Sequence, residues 1–231
     1  MTEDSRWLGD WLRAEGPFLF AAGDITGIKH DFCMARFHDL AGLDYAVVLA
    51  YPLVREVLEE IEDQPTLLYK HLYRQVNNLL DRTALKLALA LEGRGSRAIP
   101  VPASQLLDWK ELLAHLSHRQ VAVHLKLGWF GRNNLLVTRR HGAQVRLVTV
   151  LTDLPVAGSS AGLEEVTGCG ECRACVAVCP VNAIHEGPQD FGRPACFEKV
   201  KQFERIQGIG QRICGICIRA CPGQGGFGRQ V

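Results

Sequence analysis

Nine cysteines occur in the 231 residues, and eight of them fall between Cys169 and Cys221. The first four stand as Cys169-Gly-Glu-Cys172-Arg-Ala-Cys175-Val-Ala-Val-Cys179-Pro180, a C-x2-C-x2-C-x3-C-P run. Cys214-Gly-Ile-Cys217-Ile-Arg-Ala-Cys221-Pro222 repeats its later part. Thiolates at these spacings hold iron–sulfur clusters, and in the bacterial two-cluster arrangement the fourth cysteine of a run serves the other cluster. A second complete run would need a cysteine at position 211, where the chain has Gln211; Cys196 is the one remaining thiol of the segment. With four thiolates to each [4Fe–4S] cube, the count closes on two cubes. Cys169, Cys172 and Cys175 then pair with remote Cys221, and Cys196, Cys214 and Cys217 with remote Cys179.

Two other chemistries use the same residues. Zinc takes four-cysteine sites, usually from two separated C-x2-C pairs rather than a triplet followed twice by C-P. Disulfides need an oxidising compartment. The sequence shows no cationic–apolar leader and no apolar run long enough to span a membrane, so a reducing cytoplasm is the expected location. A net charge of +1 gives no general pull toward nucleic acid or anionic lipid. Apolar content of 47% and charged content of 22% suit one or two ordinary globular domains.

The elements that must position the cysteines precede them. Trp7, Leu8, Trp11 and Leu12 mark a short helix ended by Gly16-Pro17, with a strand over 18–22 after it. The interleaved apolar residues of 30–40 predict a helix, in which lone Cys33 is a small buried or half-buried residue. Asp44 to Leu53 reads as a buried strand, and 56–62 as a short acidic helix. The longest helix spans 66–92, with an apolar stripe of Leu68, Leu72, Val76, Leu79, Leu80, Thr83, Leu87 and Leu91. Pro100 and Pro102 mark an extended segment, Ser104 a helix cap, and 105–117 a further helix extending toward Leu125. Strand-like stretches at 134–139 and 144–152, joined by Arg140-His141-Gly142, predict a hairpin. The Gly-Ser linker of 155–162 divides residues 1–157, a domain for cofactor or substrate, from residues 163–231, a two-cluster domain.

Tyr69, Tyr73, Asn77 and Asp81 share one face of the long helix, either a polar flank or a ligand wall. Gly128-Trp129-Phe130-Gly131-Arg132 offers an aromatic pair between glycines. Gly128, Trp129 and Gly131, facing Tyr69, Tyr73 and Asn77, suit a flat macrocycle or an isoalloxazine. His115, His118 and His124 carry only a weak metal signal.

Leu125–Thr138 (LKLGWFGRNNLLVT), Val145–Val156 (VRLVTVLTDLPV), the run from Cys169 to Ile184, single Cys196 and the run from Cys214 to Pro222 resemble the epoxyqueuosine reductase family, itself related to reductive dehalogenases. The resemblance implies an α+β protein: a cobalamin-binding α/β domain similar to nitroreductases, then a ferredoxin-like two-cluster domain. It implies electrons passing from the clusters to a corrinoid, favoured over a flavin, for a reductive reaction. It also adds Arg132, at the place of the family's lysine, to the cofactor-binding residues. The family's catalytic aspartate has no counterpart; Leu112 stands nearest its place, with Glu111 and His115 the nearest proton carriers. A ferredoxin or flavodoxin donor, or a larger redox partner, is implied. Nucleic acid is not an expected partner, because the sequence lacks the helical-repeat tail with which longer relatives grip tRNA. An electron-transfer subunit without substrate chemistry is the alternative.

Overall fold

The computed structural model describes residues 2–36, 39–108, 111, 113–159 and 168–223. The chain divides into two compact units, each discontinuous in sequence. The first comprises 1–51, 77–127 and 146–164; the second comprises 52–76, 128–145 and 165–231. Two segments that precede the cysteines by many residues therefore count with them.

The first unit carries a five-stranded sheet. Its members are β1 (Leu19–Asp24), β2 (Tyr45–Pro52), β3 (Ala98–Val101), β8 (Val145–Thr152) and β9 (Gly158–Ser159), in the order β3-β8-β2-β1-β9. β1 runs antiparallel to β2, from Leu19 opposite Ala50 to Asp24 opposite Tyr45. β3 runs antiparallel to β8, from Ala98 opposite Thr152 to Val101 opposite Thr149. Of the three interior strands, β2 and β8 are near-continuous apolar runs, because both of their faces are covered: Ala46 to Ala50, Val148, Val150 and Leu151 are fully buried. β9 falls inside the segment read as a linker and pairs Gly158 with Ala22.

Helix α1 (Glu3–Glu15) is capped by Thr2, whose hydroxyl accepts the Ser5 N–H, and buries Leu8 and Leu12. Helix α3 (Leu67–Glu92) is the longest element. Its buried side is Tyr69, Val76, Asn77, Leu80, Ala84, Leu87, Ala88 and Leu91, whereas Leu68 and Leu79 of the expected stripe are exposed. The apolar stripe lies beside the polar face on the helix, and tertiary packing has rotated the buried side onto Tyr69 and Asn77.

Three other expectations change. The helix expected over 30–40 is two 3-10 turns, Lys29–Asp31 and Cys33–Arg36; extended Phe32 between them is buried, and Met34 N–H donates to the His115 carbonyl. The helix expected over 105–117 is a two-stranded ribbon, β4 (Leu106–Asp108) and β5 (Leu113–Ala114). There the Asp108 carboxylate accepts the Glu111 N–H, a local bond that favours a turn over a helix. Helix α4 (His118–His124) starts only after this ribbon, capped by Ser117.

The expected hairpin also pairs differently. β7 (Leu136–Val137) returns onto β6 (Trp129–Phe130), because the chain reverses at Asn134, a left-handed residue at φ 55° whose N–H donates to the Gly131 carbonyl. The rest of the second unit is short helices and turns: α2 (Arg55–Glu59), α5 (Ala174–Ala177), α6 (Arg193–Glu204) and α7 (Ile216–Arg219). Among the described residues no helix is long and apolar enough to cross a membrane.

Candidate metal centre

Each cysteine run folds in the same local way. Cys172 and Cys175 bracket the entry to α5, and Cys179 follows it; Cys214 and Cys217 bracket the entry to α7, and Cys221 follows it. The two helices pack together. Cys196 comes from the first turn of α6.

The electrostatics of the thiols show which ones meet. Burial, with Cys169 and Cys172 close by, raises the Cys175 thiol. Cys221 is pushed up to about 11 by burial and by Cys175, Cys169 and Cys172, against a lowering hydrogen bond from the Ala143 backbone. Burial and Cys179 raise Cys196. Cys214 is pushed up to about 11 by burial and by Cys196 and Cys179, against a lowering backbone bond at Ile216. Cys217 lies well above the ordinary thiol value, through burial first and then Cys214, Cys196, Cys175 and Cys179. Cys221 thus lies within electrostatic reach of the first three cysteines, and Cys179 of Cys196, Cys214 and Cys217, with Cys175 reaching Cys217 as well.

These quartets have the donor chemistry of a thiolate-held cluster. Among the described residues no three His, Cys, Asp or Glu side chains close around a point that one metal ion could fill. A cube seats its four thiolates on different irons, so its four cysteines need not converge on one point. A single zinc would draw all four sulfurs to about 2.3 Å from itself. Iron would also offset the thiolate repulsion and burial that raise the thiols here.

The residues read from sequence as a cofactor wall are placed as follows. Trp129 Nε1 donates to Cys169 Sγ at 3.4 Å. Arg132 donates from Nε to the Cys172 carbonyl (3.0 Å), from one terminal nitrogen to the Gly170 carbonyl (2.6 Å), and from the other to the Glu186 carbonyl. A Cβ on Gly128 would lie 2.2 Å from the Val137 carbonyl oxygen, and one on Gly131 would lie 2.5 Å from the Val137 side chain. Both glycines are therefore required by the close approach of β6 and β7. Tyr69 is 1% exposed. Its ring would be 2.8 Å from a Cβ on Gly215, the residue at φ +89° inside the second cysteine run. Tyr73 stacks edge-on against Tyr69. Asn77 is buried in the other unit, where its Oδ1 accepts from Arg146 Nε at 3.0 Å. Five of the seven residues, Tyr69, Gly128, Trp129, Gly131 and Arg132, are thus taken up by the packing of the cysteine runs and of the hairpin against them.

The acid–base candidates have no comparable setting. Glu111 is exposed on the turn between β4 and β5, and Leu112 lies outside the described residues. His115 keeps a buried Nδ1 without a partner. His118 is a structural residue: one ring nitrogen meets Thr149 Oγ1 (2.8 Å) and the other the Pro102 carbonyl (2.9 Å). Burial pushes it down to about 4, so it is neutral near pH 7. His124 meets the Asp24 carbonyl. Sequence reasoning missed Glu186, which accepts from both Arg132 and Arg173 beside the first run, and Gln144, which donates to the Arg219 carbonyl at the end of α7. Neither carries a motif that could have marked it.

No protein-family model matches the chain. The epoxyqueuosine reductase of Salmonella typhimurium is 38% identical over 120 residues, 47% of this chain and 30% of that protein. The structure of epoxyqueuosine reductase from Streptococcus thermophilus superposes with a TM-score of 0.59 at 16% identity, over 96% of this chain and 66% of that one. Over that aligned part this chain is similar in sequence to the epoxyqueuosine reductases, and its fold is similar to theirs. It spans less than a third of the length of the curated epoxyqueuosine reductase from Salmonella. A reductive dehalogenase structure described as suggesting a mechanism for B12-dependent dehalogenation shares the fold at TM-score 0.50 and 20% identity, over 62% of this chain and 20% of that one. The mixed α+β architecture is thus that of epoxyqueuosine reductases and reductive dehalogenases.

Proposed function

We propose that this protein is an iron–sulfur oxidoreductase in which Cys169, Cys172, Cys175 and Cys221 hold one [4Fe–4S] cluster and Cys179, Cys196, Cys214 and Cys217 hold a second. The crossed meeting of the two cysteine runs carries this reading. The clusters would supply one-electron transfer for a reductive reaction of the epoxyqueuosine-reductase kind, fed by a ferredoxin- or flavodoxin-like donor in the cytoplasm. The finer fold reading, a nitroreductase-like sheet and a ferredoxin-like cluster pair, belongs to the same proposal. A corrinoid as electron acceptor enters through the family alone. Of the residues read as its wall, Tyr69, Trp129 and Arg132 are engaged with the cysteine runs and Gly128 and Gly131 with the strand of Val137, so no step is derived through it.

That occupation favours a second reading, an electron-transfer subunit with no substrate chemistry of its own. One experiment addresses both. Protein loaded with iron and sulfide under anaerobic conditions is examined by iron analysis, visible absorption and EPR. The proposal expects about eight irons per chain and two interacting reducible centres. Zinc in place of iron, or a single cluster, overturns it. Added cobalamin that stays bound through gel filtration favours the enzyme; clusters without any retained corrinoid or flavin favour the subunit.

A further inference from the structure

The tryptophan of the β6–β7 hairpin points its only polar atom at a cysteine sulfur. Trp129 Nε1 lies 3.4 Å from Cys169 Sγ, within hydrogen-bonding range for sulfur. Its position is fixed from both sides. Trp129 pairs with Val137 across the hairpin, and the glycine before it admits the Val137 carbonyl at a distance no side chain would allow. Three residues on, Arg132 ties the same cysteine loop through the carbonyls of Gly170 and Cys172, with only 14% of its side chain exposed. The indole is therefore held to the loop by the hairpin that carries it, not by the sulfur contact alone. On the second quartet a bond to sulfur comes from the main chain, Ala183 N–H to Cys179 Sγ at 3.2 Å.

We propose that Trp129 is a positioning residue that sets the reduction potential of the first cluster through its N–H donated to Cys169. This rests on the reading that the first quartet holds a [4Fe–4S] cluster. Hydrogen bonds to cluster sulfurs are among the main determinants of potential. Adding one electron increases negative charge on the cluster and its thiolates, so a donor at sulfur stabilises the reduced form more than the oxidised one. The indole N–H thereby raises the potential, and it does so for one cluster of the two. Trp129 takes no part in bond making; the reduction adds one electron from a chemical reductant and moves no proton from the indole, which has none to give near neutral pH.

The test is Trp129→Phe, which keeps an aromatic ring and removes the donor. Wild type and variant are loaded anaerobically, their iron is counted, and the two midpoints are measured by EPR-monitored titration with dithionite. The expected result is full iron content and one midpoint lowered, with the reduction equilibrium weakened about fivefold, roughly 40 mV at 59 mV per tenfold for a one-electron couple. The other midpoint stays put. An unchanged pair of midpoints, equal shifts in both, or a rise in either overturns the inference. If Trp129→Phe fails to hold iron, benzothienylalanine at position 129 keeps the bicyclic shape without the N–H and is judged by the same midpoints. Wild-type protein that takes up no iron sinks the cluster reading itself and is a separate outcome from loaded protein whose midpoints do not move.

Discussion

The two cysteine runs share a spacing and differ in what supports them. The first is braced by polar groups: Trp129 on a sulfur, Arg132 on two carbonyls of the loop, and Glu186 behind Arg132 and Arg173. Gly168 and Gly170 stand open, with nothing near where a side chain would go, and Cys172 is exposed. The second run rests on apolar packing. Gly215 sits against Ile61 and the buried ring of Tyr69, and Ile213 and Ile216 are buried beside it. Arg219 closes α7 onto the Ile61 carbonyl. On the proposed reading the shared motif sets which atoms ligate, while the surroundings decide how firmly each loop is held and how its cluster would be tuned.

The largest expected effect bears on the crossing itself. Cys196→Ala removes one ligand of the second quartet and leaves the first intact. Iron should fall from about eight to about four per chain, one EPR signal remaining; a fall to zero would show that the runs do not load independently. Next comes a pair of glycines, both in the left-handed region. Gly215→Ala adds backbone strain at φ +89° and a Cβ 2.6 Å from Ile61 and 2.8 Å from Tyr69. It should cost about 3 kcal/mol in denaturant midpoint and deplete the second cluster. Gly170→Ala, at φ +50° with nothing within 4 Å, should cost only about 1 kcal/mol and leave iron unchanged. Equal effects would erase the distinction between apolar and polar support.

A pH-dependent background from the sheet unit must be separated from these changes. His118 titrates at about 4 in the fold against 6.5 ordinarily, so the unfolded chain takes up its proton first as the solution is acidified. Stability is complete above about pH 6.5 and declines as pH falls toward about 4. Some 2 kcal/mol should be lost by about pH 4.5, and denaturant melts of His118→Gln should lack that slope. The smallest effect is expected from Arg132→Lys. It retains the charge but replaces a planar fork on two carbonyls with a single point donor. A loss on the order of 1 kcal/mol should speed iron release about fivefold from the first cluster only, read as chelator-driven bleaching.

What sequence made legible follows from how local each determinant is. The interior strands were readable because a strand covered on both faces is written as a continuous apolar run, as in Ala46 to Ala50. The like folding of the two cysteine runs was readable because their shared spacing places each around a short helix, α5 and α7. The buried side of α3 was readable at Val76, Leu80, Thr83, Leu87 and Leu91 but not at Tyr69 and Asn77. Tyr69 and Asn77 lie beside Leu68 and Leu79 on a helix, and only the partners, Gly215 for the one and Arg146 for the other, select which stripe turns inward. The same limit explains the glycines of the Trp129 segment. In sequence, Gly128 and Gly131 look like room for a ligand, but the space is filled by Val137, nine residues beyond Gly128 and brought back by one left-handed asparagine. The ribbon at 106–114 was hidden by a leucine pattern that suits a helix equally well, and it is decided by the Asp108 carboxylate on the Glu111 N–H.

The crossed meeting of the cysteines has a consequence for the order of biosynthesis. As the chain leaves the ribosome, Cys169, Cys172 and Cys175 emerge early and wait for Cys221, the last cysteine made. The second quartet is finished at Cys217, four residues sooner, although all four of its members follow the first triplet in the sequence. Neither set of four exists until nearly the whole described chain has been translated. On the proposed ligand sets no cube can be completed before Cys217 has been made, and until Cys221 follows the first triplet is an open three-thiol site that a soft metal ion can capture.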